Sequence, residues 1–130
     1  LQTLKNEFAR TEKSKSKNLW KQEDNMRHYN GWLWYQLKEN YGDRVSRNYD
    51  PLIHITKLGA DGVTHLHKIW CPTPEDYRIT RDCVEEVQEI GGTFISYASA
   101  WSMASEEGYE AARQLGITIK PHGQTIAFFR

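Results

Sequence analysis

Histidine is the side chain best suited to acid–base or metal chemistry near neutral pH. Three of the five histidines of this chain fall within one short run, Pro51-Leu-Ile-His54-Ile-Thr-Lys-Leu-Gly-Ala-Asp-Gly-Val-Thr-His65-Leu-His67-Lys-Ile-Trp70. His65 and His67 are separated by a single residue in a β-rich stretch, so strand alternation points both imidazoles to one face. With a two-residue turn at Ala60-Asp61, Gly59 pairs with Gly62 and His54 comes opposite His67. Directly opposed side chains have Cβ atoms about 4.5–5.5 Å apart, near enough for His54, His65 and His67 to converge on one divalent ion, Mg or Mn, or on one phosphate. A shift of one residue in register sends His54 to the other face and leaves the His65/His67 pair intact.

These residues need a hairpin to hold them. Gly59-Ala-Asp-Gly62 between two β-rich runs predicts one, with strands over 52–58 and 63–70. Upstream, the apolar spacing of residues 1–41 is helical, with Asn30-Gly31 dividing it into two helices, and Tyr41 to Pro51 reads as a loop. Downstream, Thr73-Pro74 resembles a helix start, predicting a helix from Pro74 to Glu89 or Ile90 that Gly91-Gly92 stops. A strand over 93–97, a helix over 98–115 ended by Gly116, and a closing hairpin of 117–120 with 125–129 complete the chain. The expected fold class is α+β: N-terminal helices, a largely antiparallel sheet containing the 52–70 hairpin, and helices packed on the sheet. A single domain over 1–130 is expected, with a helical segment over 1–41 and an α+β core over 52–130.

Composition narrows the function classes. Seventeen basic residues balance seventeen acidic ones, so there is no global basic field of the kind that attracts nucleic acid. The balance hides a gradient, because the N-terminal segment concentrates cations. Arg10, Lys13, Lys15, Lys17 and Lys21, with Trp20 to stack on a base, are the candidate nucleic-acid-binding residues. Cys71 and Cys83 have neither CxxC spacing nor a repeated pattern, which excludes a thiolate zinc site or a disulfide framework as the organising principle. No apolar run approaches the roughly 20 residues that span a bilayer, the first residues lack a signal peptide's apolar core, and a cytoplasmic setting without membrane contact is expected.

The run Thr64-His65-Leu66-His67-Lys-Ile-Trp70 resembles the His-hydrophobe-His motif of the HUH endonucleases, the replication initiators and relaxases that nick single-stranded DNA. The resemblance covers roughly residues 50–113. It implies a metal held by His65 and His67 with His54 as third ligand, and a strand at 93–97 followed by a helix carrying the nucleophile. Tyr109 takes that place, with Arg113 one turn on where the family has a lysine three residues after the tyrosine. The implied reaction is metal-assisted transesterification through a phosphotyrosine link.

Two other readings of the same residues stay open. One is a metal-independent endoribonuclease, a toxin-like hydrolase in which His54, His65 or His67 act as acid and base and Lys57 or Lys68 stabilises phosphate charge. The other is a non-enzymatic adaptor or inhibitor that meets a protein partner through aromatics among Trp32, Trp34, Tyr35 and Trp101.

Overall fold

The computed structural model describes residues 30–46 and 51–130. The predicted helix before residue 30 and the candidate nucleic-acid-binding residues Arg10, Lys13, Lys15, Lys17, Trp20 and Lys21 lie outside the described residues.

Helix α1 occupies 30–41. It includes Gly31 in its first turn, and Leu33 and Leu37, one turn apart and both fully buried, hold it to the core; whether a separate helix precedes it lies outside the described residues. A 3₁₀ turn, Gly42–Arg44, leads to β1, Val45–Ser46, inside the stretch that reads as a loop. Strands β2, Leu52–Leu58, and β3, Thr64–Trp70, form the expected hairpin.

The predicted helix start at Thr73 yields only a 3₁₀ turn, Pro74–Asp76. The chain then extends as β4, Arg78–Ile79, before α2, Arg81–Glu89, begins at Thr80, whose side chain accepts from the Cys83 backbone N–H. After β5, Phe94–Tyr97, the expected long helix is interrupted in the same way. Strand β6, Met103–Ala104, pairs in parallel with β4, and α3, Glu106–Leu115, starts only after Ser105 has capped it. Both helices are shortened by this two-stranded sheet, which no periodicity signals because each strand has two residues.

The end of the chain departs most from expectation. Strand β7, Thr118–Pro121, is followed by α4, His122–Phe128, rather than by a second hairpin strand. The Thr125 hydroxyl donates to the Pro121 carbonyl, and Phe129 is fully buried. The short run Ile126 to Phe129 fits either element by pattern, and packing decides.

The main sheet has the order β1-β2-β3-β5-β7. β1, β2 and β3 pair antiparallel, whereas β3, β5 and β7 pair in parallel through the α2 and α3 crossovers. The class is α+β as expected, with a mixed sheet in place of a largely antiparallel one. Leu52, Trp70 and Ile95 on one face pack against Val84, Val87, Ala111 and Ala112 of α2 and α3. Ile53, Ile55, Ile69 and Phe94 on the other pack against Leu33 and Leu37 of α1 and against Phe129. Among the described residues no helix is long and apolar enough to cross a membrane.

Candidate functional site

The hairpin loop fixes which residues meet. The Gly59 N–H donates to the Val63 carbonyl (2.8 Å) and the Gly62 N–H to the Gly59 carbonyl (3.0 Å). Gly62 adopts a left-handed φ of +79° that only glycine takes without cost. Gly59 thus faces Val63 rather than Gly62, and the hairpin is one residue out of the two-residue-turn register.

The consequence for the histidines is direct. His54 lies opposite Lys68, not His67, and shares the sheet face that carries Leu52 and Trp70 under α2 and α3. Lys57 lies opposite His65, and buried Ile55 opposite His67. The expected His54/His65/His67 triad is therefore not assembled. In its place one face brings together Lys57, His65 and His67, with His54 and Lys68 behind the sheet. Among the described residues no three of His, Cys, Asp and Glu come together to hold a metal ion.

The two histidines of the pair differ in environment. His65 is half exposed, and its Nε2 lies 3.1 Å from Asp61 Oδ2. Asp61 is anchored by the Val63 backbone N–H at 3.0 Å, and that bond first, then His65, lowers its pKa. His67 sits edge-on to Phe128 and Phe129, with ring centroids 5.9 and 5.2 Å away. Burial, followed by the electrostatic influence of His65 and Lys57, lowers its pKa and so favours the neutral imidazole. The Lys57 ammonium lies 5.6 Å from the Phe128 centroid and that of Lys120, arriving from β7, 5.8 Å from it. The face therefore gathers the His67 imidazole and two ammonium groups around the Phe128 ring, with the carboxylate-paired imidazole of His65 across from Lys57.

Tyr109 and Arg113 are elsewhere. Both belong to α3, whose Ala111 and Ala112 pack on the sheet face opposite the one that carries His65 and His67. The Tyr109 hydroxyl lies 3.4 Å from that of Tyr97, and this hydrogen bond, with partial burial, pushes Tyr97 up to about 12. Arg113 is bonded to Glu110 on the exposed side of the helix. The tyrosine and the histidine pair that the HUH resemblance requires in one site are thus separated by the sheet. The stretch 29–35, the place for that family's first strand, is helical from residue 30.

A second polar cluster lies at the carboxyl ends of β5 and β7, and nothing in the sequence pattern pointed to it. The buried Ser96 hydroxyl lies 2.6 Å from His122 Nδ1 and 2.7 Å from the buried Thr125 hydroxyl, which reaches the Pro121 carbonyl at 3.1 Å. A chain donating from His122 through Ser96 and Thr125 to Pro121 satisfies every group. Burial pulls His122 down to about 4, and Trp32 of α1 lies 5.8 Å from its ring. With Ser96 fully enclosed, the cluster anchors α4 to the sheet.

Of the aromatics considered for a partner surface, Trp32, Tyr35 and Trp101 are exposed, whereas Trp34 is half-buried against the core that holds Leu33 and Leu37 and is not free to serve such a surface. Cys71 and Cys83 are free, buried, and both pushed up to about 12 by burial. Compared with protein-family models, curated proteins and solved structures, the chain matches none.

Proposed function

We propose that this chain is a metal-independent endoribonuclease whose acid–base pair is His65 and His67. The observation that carries the reading is the hairpin register, which sets Lys57 across from His65 on the face shared with His67. Residues two apart on a strand are separated by about 6.6 Å, enough to place one imidazole on each side of a phosphodiester. Neutral His67 takes the proton of the ribose 2′-hydroxyl, whose oxygen attacks phosphorus. His65, held by Asp61, acts as the acid and gives a proton to the departing 5′-oxygen. Lys57 balances the charge that gathers on the non-bridging oxygens. The products are a 2′,3′-cyclic phosphate and a 5′-hydroxyl.

The test is incubation of labelled RNA and single-stranded DNA with the chain in EDTA. RNA cleavage to cyclic-phosphate ends is expected, with a loss of about 10²- to 10⁴-fold in His67→Ala. Cleavage that needs Mg²⁺ or Mn²⁺, or a covalent adduct with DNA lost in Tyr109→Phe, overturns the reading in favour of metal-dependent nicking. No cleavage of either substrate by the folded chain leaves the binding of a protein partner as the function to pursue.

A further inference from the structure

Lys57 lines a second feature beside the hairpin. A cleft of about 320 Å³ opens where the chain enters β1, bounded by Arg44, Thr56, Lys57, Leu58, Thr64 and Arg130. Three of the six are cations and none is acidic. Arg44 is held in place: Nε donates to the Thr56 carbonyl at 2.9 Å, Nη2 to the Phe129 carbonyl at 2.7 Å, and its guanidinium stacks on Tyr41 with 4.6 Å to the ring centroid. Those two bonds use two of its five donors. A guanidinium already ordered by its neighbours loses little freedom when it meets an anion, which favours binding. Thr64, opposite Leu58 at the end of the hairpin, adds a hydroxyl to the rim.

We infer that this cleft is a phosphate subsite that takes a backbone phosphate of single-stranded RNA neighbouring the scissile one. The choice of RNA rests on the endoribonuclease reading above; the anionic, phosphate-bearing character of the ligand rests on the cleft alone. Lys57 joins the two places, since its ammonium meets the Phe128 ring beside His67 while its side chain walls the cleft. A strand laid across the hairpin meets the acid–base pair first and the Arg44/Arg130 cleft next. Phosphate contacts of this kind fix register on the strand without reading sequence.

The test uses a fluorescein-labelled 2′-O-methyl oligouridylate, which cannot be cleaved because its 2′-oxygen is blocked, and follows anisotropy over a salt series. Arg130→Ala is the informative variant, because Arg130 is exposed and its loss leaves the core untouched. The dissociation constant is expected to rise about fivefold, and the slope of its logarithm against log salt to fall by about 0.7, one phosphate contact on a single strand. Arg130→Lys is expected to keep the wild-type slope. An Arg130→Ala chain with wild-type affinity and slope overturns the subsite. Uridine monophosphate and inorganic phosphate, added as competitors, separate the sources of phosphate: displacement by either as effective as by unlabelled oligonucleotide overturns the strand assignment. Binding that depends on Arg130 in a chain that cleaves no RNA removes the ribonuclease reading and keeps the cleft. RNA cleavage with Arg130-independent binding does the reverse.

Discussion

Acidification should loosen this fold chiefly through one half-buried imidazole, that of His122. His122 is half-buried between Ser96 and Trp32, and burial lowers its pKa from 6.5 to about 4. The unfolded chain binds a proton there below about 6.5 and the folded chain only below about 4, so between those values the unfolded state holds more protons. Stability therefore falls as pH falls through that window and stays lost beneath it. At about 1.36 kcal/mol per pH unit the full shift is worth about 3 kcal/mol, and water at the ring's exposed edge screens part of this, leaving about 2 kcal/mol. Urea unfolding of wild type and His122→Gln across this pH range reads the effect. The variant loses the Ser96 contact at every pH, a constant offset, while wild type alone should show the extra fall of about 2 kcal/mol on acidification. Parallel pH dependences in the two proteins would refute the argument.

Two more substitutions probe the scaffold. Gly108 in α3 lies so close to β4 that an added Cβ overlaps the Ile79 carbonyl oxygen; Gly108→Ala should cost about 1–2 kcal/mol in urea unfolding, overpacking outweighing the gain of about 1 kcal/mol in helix propensity. Gly62→Val forces a branched residue into a left-handed φ at the turn that sets the histidine register; it should lower stability by about 1–2 kcal/mol and reduce the proposed RNA cleavage, whereas Gly62→Asn should retain both more fully.

The hairpin, the strand at 94–97, the ends of both crossover helices and the α+β class were legible because glycine, capping and alternation signals are local. Gly116 at φ +72° closes α3 where a glycine stop was expected. What eluded the sequence depends on contacts between distant segments. The helix starts moved from Thr73 to Thr80, and to Ser105, because Arg78-Ile79 and Met103-Ala104 found each other across 25 residues. Local capping signals exist at Thr80 and Ser105, yet they compete with an equally good one at Thr73-Pro74. Register is the harder case. Gly59-Ala-Asp-Gly62 suits a two-residue turn and a bulged three-residue turn alike, and the one-residue difference decides whether His54 or Lys57 joins the pair. The Asp61 side chain, bonded both to Val63 and to His65, helps to hold the bulged form. The Ser96/His122/Thr125 cluster carries no sequence signature because Ser96 comes from β5 and its two partners from α4, 26 or more residues further on.

The hairpin also reaches past the sheet that holds it. Its neighbours β1 and β5 pair only near its base, at His54 and Ile55 on one side and at Ile69 and Trp70 on the other. Among the described residues no further strand flanks the tip, which carries exposed Leu58, Val63 and Leu66. Such an arm invites a strand from another molecule to add along its open edges. Charge at the tip is the usual guard against such pairing, and Lys57 and Asp61 supply it, so side chains proposed for catalysis have a second use in discouraging copies of this protein from stacking edge to edge.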